Sequence, residues 1–160
     1  MKPIIFFDLD GTLIDSSHRQ LTLPNGSLDL NHWRKNCTRD KIQRDKLLPL
    51  KTLYYSLQRV NTAALVICTA RVITEHDLEY LFQHRLMCDG ILSRSSNDNR
   101  PDGELKKSLI LEYCSQNNIP TRWLKNCAIY DDNASVRHTL AKYFGIETID
   151  PAPLNKRAMR

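Results

Sequence analysis

Phe6-Phe7-Asp8-Leu9-Asp10-Gly11-Thr12-Leu13 sets two carboxylates two residues apart at the end of the apolar run Pro3-Ile4-Ile5-Phe6-Phe7. In an extended chain, residues i and i+2 point to the same side. Gly11 then allows a sharp turn without a Cβ penalty. Two acids held this close repel, and one keeps its proton unless a cation joins them. A divalent cation or a proton-transfer role resolves the conflict, and either makes this a reactive site. Asp10, beside Asp8, is the expected acid with the raised pKa.

Outward from this stretch, short apolar runs bounded by polar residues recur at 3–9, 64–68, 90–92, 127–130 and 146–149. Such runs read as parallel strands buried on both faces. Helical spacing lies between them: Leu50, Leu53, Tyr54 and Leu57; Leu78, Leu81, Phe82 and Leu86; Leu105, Leu109, Leu111 and Tyr113; Val136, Leu140 and Phe144, closed by Gly145 as a C-cap. The alternation predicts an α/β fold, a Rossmann-like parallel sheet flanked by helices, with right-handed crossovers. Ligands in such sheets bind beyond the carboxyl ends of the strands.

One segment breaks the rhythm. About forty residues separate the first strand from the Leu50 helix, and the insertion at about 15–48 is expected to be a flap or small cap over the active edge. Within it Pro24-Asn25-Gly26 signals a turn, and Asp29 is positioned to cap a short helix running to Asn36. Residues 1–150 are expected to form one domain, followed by a poorly ordered tail, 151–160.

Hydrophobic content of 41% and charged content of 26% are ordinary for a globular protein. No apolar run approaches the roughly 20 residues of a membrane span, and the N-terminus does not read as a signal peptide. Five cysteines, an odd number with no C-x-x-C, point to a reducing compartment rather than a disulfide framework or a zinc site. The net charge is +5, and the insertion holds seven Lys or Arg against four Asp. A basic surface favours phosphate-bearing partners.

Three further segments carry chemistry. Ile67-Cys68-Thr69-Ala70-Arg71 puts a hydroxyl and a guanidinium where a strand opens toward a helix, either as an anion cradle or with Thr69 as an N-cap. The stretch from Arg94 through Arg100 and Asp102 to Lys106 enters a helix, and Lys106 or its neighbour Lys107 could supply a fixed cation. Ile129-Tyr130-Asp131-Asp132-Asn133 is a second acid pair at a strand end, costly without a compensating cation. An oxygen-only ligand set suits Mg²⁺.

In this order the four segments resemble the haloacid dehalogenase (HAD) superfamily of phosphotransferases: Asp8-x-Asp10-Gly11-Thr12, then Thr69, Lys106 and Asp131-Asp132. Arg94, Arg100, Asp102 and Lys106, with Thr69-Ala70-Arg71, are similar to the 3′-phosphatase domain of phage polynucleotide kinase. No G-x-x-x-x-G-K-[ST] loop is present. The resemblance implies that Asp8 attacks phosphorus and Asp10 handles the leaving-group proton. It implies Mg²⁺ on the Asp8 carboxylate, the Asp10 carbonyl and Asp131, with Asp132 assisting through water or orienting Lys106. Thr69 and Lys106 would bind phosphate oxygens, alongside Gly11, Thr12 and Ala70 at the substrate. Arg71, Arg94, Arg100 and Arg19 are candidates for further phosphate contacts. Trp33 either stacks on a base or anchors the insertion. The expected activity is removal of a 3′-phosphate from a nucleotide or polynucleotide end. A 5′-nucleotidase or other small-molecule phosphatase is the alternative, and a non-catalytic nucleic-acid binder the reading from another class. No membrane and no obligate protein partner is expected, and the expected location is the cytoplasm, the host's for a phage protein.

Overall fold

The computed structural model describes residues 1–25 and 28–157. A five-stranded sheet, parallel throughout, runs in the order β5 (Gly90–Ser93), β4 (Ala64–Thr69), β1 (Ile4–Phe7), β6 (Ala128–Tyr130), β7 (Glu147–Ile149). This is the expected α/β architecture. The chain starts at the centre, winds out one side through β4 and β5, and returns to build β6 and β7 on the other. The crevice between β1 and its neighbours at their carboxyl ends is therefore the switch point where a ligand is expected.

Alternation along the strands divides the core. Phe6, Val66, Cys68 and Ile129 face α5 (Asp102–Gln116) and α6 (Ala134–Phe144), meeting Ile110, Cys114, Val136 and Leu140. Phe7, Leu65 and Ile67 face the other way, onto Tyr54 of α3 (Lys51–Val60) and Tyr80 and Leu81 of α4 (Glu75–Gln83). Gly145 ends α6 with φ +63°, a left-handed C-cap as its position foretold.

The insertion is pinned at its base by a short antiparallel ribbon, β2 (Ile14–Asp15) against β3 (Lys46–Leu47). Asp29 caps α1 (Leu30–Lys35) by accepting from the backbone N–H groups of Asn31 and His32. A second short helix, α2 (Arg39–Ile42), drops Ile42 into the core beside Leu13 and Ile14. Pro24 and Asn25 lie in a turn, and Gly26 falls outside the described residues.

Two expectations fail in part. Leu78 and Phe82 are exposed while Leu81 and Leu86 are buried, so the apolar spacing read on α4 is only half right. A capping box between Thr74 and Asp77 sets the start of that helix and turns Asp77, Tyr80 and Leu81 inward. Nor is the tail loose through its first part. Ala152–Arg157 form α7, whose buried Asn155 accepts from the Leu50 N–H at 2.9 Å and donates to the Thr12 carbonyl at 3.1 Å.

Candidate active site

Asp8 follows directly on β1, its N–H donating to the Tyr130 carbonyl at 2.9 Å, so pairing with β6 fixes the backbone from which the carboxylate emerges. Lys106, one turn into α5, extends under it. Its Nζ lies 2.9 Å from Asp8 Oδ1 and 2.7 Å from Asp131 Oδ2, and all three residues are buried. Asp132 joins from the exposed side. Carboxylate oxygens of Asp8, Asp131 and Asp132 all lie within 4.8 Å of one another. Lys107, by contrast, sits on the surface, paired with Glu104 and 5.1 Å from the ring centroid of Tyr143. Of the two lysines, it is Lys106 that reaches the acid cluster.

The acid pair is held by its backbone. Asn133 caps α6 and accepts from the Ser135 N–H, which leaves both aspartates free of that duty. Arg137, which the sequence reading missed, donates to the carbonyls of Asp131 and Asp132 at 2.6 and 2.8 Å. Gly11 has φ +71°, and an added Cβ would stand 2.3 Å from Asp132 Oδ2. That glycine therefore serves the approach of Asp132 as well as the turn.

Burial pushes the Asp8 carboxyl up from the usual range, Lys106 pulling against it and the Asp131 and Asp10 charges adding to it. Asp131 is raised by burial too, again against Lys106. Loss of water around its carboxyl, then the Asp8 charge, takes Asp132 to about 6. Lys106 pays for burial of its charge but is held firmly protonated by Asp8 and Asp131. A cluster of acids short of positive charge, with only oxygen donors, suits a hard divalent cation.

Asp10 departs from expectation. Burial works to raise its pKa, yet Arg71 outweighs it and holds the carboxyl below the usual range. Arg71 donates through Nε to Asp10 Oδ2 at 3.1 Å and through a terminal nitrogen to Oδ1 at 2.5 Å, and the Ser16 hydroxyl donates to Oδ1 as well. The raised acid of the pair is Asp8, where burial outweighs Lys106, whereas at Asp10 the side-on guanidinium of Arg71 outweighs burial.

Thr69 ends β4, fully buried, its Oγ1 accepting from the Arg71 N–H at 3.1 Å. It caps no helix, since α4 begins at Glu75 with Thr74 as N-cap. Thr12 is buried, and its hydroxyl has no hydrogen-bond partner among the described residues. The Ala70 carbonyl accepts from Arg94 Nε at 2.9 Å. Arg94 also reaches the carbonyls of Asp98 and Arg100 and the Asp102 carboxylate, so it organises the loop before α5. Arg100 lies on Asp98 and Ser108 at the surface. Arg19 is fully buried against Asp45, and Trp33 lies over it, the guanidinium carbon 4.1 Å from the ring centroid. That contact lies wholly within the insertion. Among these partners, Asp45 and Asp77 escaped the sequence reading: Asp45 carries no motif, whereas Thr74-x-x-Asp77 is a capping-box signature that marks a helix start but not the contact with Arg71.

Comparison with known proteins agrees with this geometry. The fold matches a haloacid dehalogenase-like hydrolase from Streptococcus pneumoniae (TM-score 0.62, 18% identity, covering 92% of this chain and 83% of that one). It also matches a chain of the Pnkp1/Rnl/Hen1 RNA repair complex (TM-score 0.64, 20% identity, 93% and 42%). The fold is thus that of the HAD superfamily, as the four segments implied. The 5′-deoxynucleotidase of Escherichia phage T5 is 42% identical over 83 residues, which cover 49% of this chain and 33% of that enzyme, so the match spans about a third of the relative's length. The family model of the bacteriophage T5 5′-deoxynucleotidase matches residues 1–159, nearly the whole sequence, and the chain belongs to that family.

Proposed function

We propose that this chain is a Mg²⁺-dependent phosphomonoesterase acting on 5′-deoxynucleotides, with Asp8 as the nucleophile. The observation that carries the reading is the buried cluster of Asp8, Lys106 and Asp131, with Asp132 at its edge, at the switch point of the sheet. The 5′ position is supported by family membership.

Asp8, Asp131 and the Asp10 carbonyl would hold the cation, with Asp132 within reach of the same site. When bound, the ion screens the negative charge of nucleophile and phosphate from one another. Lys106 keeps Asp8 aimed and supplies fixed positive charge beneath the phosphoryl group. Asp8 forms a bond to phosphorus as the bond to the ester oxygen breaks, and Asp10 delivers a proton to that oxygen. An arriving phosphate dianion raises the proton affinity of a nearby carboxylate, which readies Asp10 for this step. Water then attacks the phosphorus of the aspartyl-phosphate, gives its proton to Asp10 and restores Asp8. Thr69, with the backbone of Gly11, Thr12 and Ala70, lines the phosphate position, and Arg71 acts on Asp10.

The second reading, a 3′-phosphatase on a polynucleotide end, is favoured by the Arg94-to-Lys106 pattern and the basic insertion. A panel of 5′-deoxynucleotides, 3′-deoxynucleotides and 3′-phosphorylated oligonucleotides with Mg²⁺ separates the two by kcat/KM. Turnover should fall below detection in Asp8→Asn with the far-UV spectrum unchanged, and retained hydrolysis in that variant would count against covalent catalysis.

A further inference from the structure

Behind Asp10 stands a network of which the reaction steps use only Arg71. Two arginines, Arg19 and Arg71, meet three carboxylates, Asp10, Asp45 and Asp77. Arg71 spans Asp10 and Asp77, the latter at 2.6 Å, and a terminal nitrogen lies 3.5 Å from Asp45 Oδ2. Asp45 in turn takes Arg19 in a two-pronged contact, Nε to Oδ1 at 2.9 Å and a terminal nitrogen to Oδ2 at 2.8 Å. His18 Nε2 lies 2.9 Å from the same Oδ1, and the Tyr80 hydroxyl donates to the Asp45 carbonyl. Trp33 closes the assembly from outside, over both guanidinium groups. The side chains of Arg19, Arg71, Asp45 and Asp77 are 0–2% exposed, whereas that of Asp10 is 25% exposed. A rigid, dry scaffold thus stands behind one acid that still faces the crevice.

We propose that Asp45 is a positioning residue: carried by the insertion just before β3, it aims Asp10 by engaging Arg19 and backing Arg71. The insertion then has a defined duty, since Ser16, Arg19, Trp33 and Asp45 all belong to it and all converge on the grip around Asp10. Without the Asp45 charge, Arg19 loses its two-pronged ionic partner, and Asp10, which already feels its charge, is a neighbouring acid left to attract it. A guanidinium drawn there competes with the ester oxygen for the Asp10 carboxylate. The proposal rests on the phosphatase reading above and deepens it.

The test uses leaving-group chemistry. An alkoxide leaves poorly without a proton, whereas p-nitrophenolate departs unaided, so only the first depends on a well-aimed Asp10. Purified wild-type and Asp45→Asn chains are compared by kcat/KM on a 5′-deoxynucleoside monophosphate and on p-nitrophenyl phosphate with Mg²⁺. The variant should lose at least about tenfold more on the nucleotide than on the aryl ester, a part of the roughly 100- to 10,000-fold that a general acid supplies. Equal losses on both, with an active wild type, would overturn the positioning role and leave the phosphatase reading standing. A wild type inert on both substrates would overturn that reading and this inference with it. If Asp45→Asn loses its cooperative melt, Arg19→Lys, which keeps the cation but drops the two-pronged contact, decides by the same ratio.

Discussion

At the scale of single residues, the site depends on one missing Cβ. Gly11 adopts φ +71°, and a methyl group there would meet Asp132 Oδ2 at 2.3 Å and its Cγ at 2.7 Å. Alanine in a left-handed conformation costs about 1–2 kcal/mol, and the collision forces Asp132 from the acid cluster as well. Gly11→Ala should therefore keep the fold by circular dichroism, lower the melting temperature by a few degrees, and reduce kcat/KM by more than about tenfold. Undiminished turnover would mean that Asp132 does not need its present place. The same stretch shows where reading from sequence succeeds and stops. The pairing of Asp8 with Asp10 was legible because a strand fixes the projection of neighbours i and i+2. Which acid keeps its proton was not, because Arg71, 61 residues onward, grips Asp10 and sits on no nearby signal. The buried thiols follow the simpler rule: burial pushes Cys68 to about 12, and it should resist alkylation at pH 8 until the chain is denatured.

Among the elements, strands declared themselves, and helix phase was legible on α3 and α6 but only half right on α4. A strand covered on both faces is a short apolar run whatever its register, so β1, β4 and β6 stood out. The α4 surface was misread because Leu78 and Phe82 mimic a buried stripe, while the true inner face includes Asp77, an acid tolerated there by its contact with Arg71. The packing of α5 on α6 carries the clearest test at this scale. A Cβ on Gly103 would lie 2.8 Å from Thr139 Oγ1 and 3.2 Å from Thr139 Cβ. Overpacking of this kind costs about 1–3 kcal/mol, against a helix-propensity gain near 1 kcal/mol for alanine over glycine. Lys106 is one turn along the same helix, so pushing α5 away from α6 also displaces the cation beneath Asp8. Gly103→Ala should lower both melting temperature and kcat/KM, and adding Thr139→Ala should restore part of each. Strictly additive effects in that double-mutant cycle would show that the two side chains do not compete for space.

For the whole molecule, topology brings Asp8, Lys106 and Asp131 together from three separate segments of the chain, and the order of the motifs was enough to foresee that convergence. The wiring of the insertion to Asp10 was not foreseeable, since it is made of single charged residues whose partners are set only by the fold. One consequence of the convergence is thermodynamic. Burial raises the pKa of Asp8 and Asp131, which means that the folded chain holds these carboxylates at a cost when they are ionised. A divalent cation at the cluster relieves that cost in the native state, and the unfolded chain offers no equivalent site. Binding to the native state alone stabilises by about 2.7 kcal/mol at a hundred times Kd. At roughly 2–4 °C per kcal/mol for a chain of this size, saturating Mg²⁺ should raise the melting temperature of chelator-treated protein by about 5–10 °C at neutral pH. In Asp131→Asn the cluster loses one of its buried charges, and the rise should shrink to a degree or two. A rise of the same size in both proteins would place the stabilising cation away from these acids.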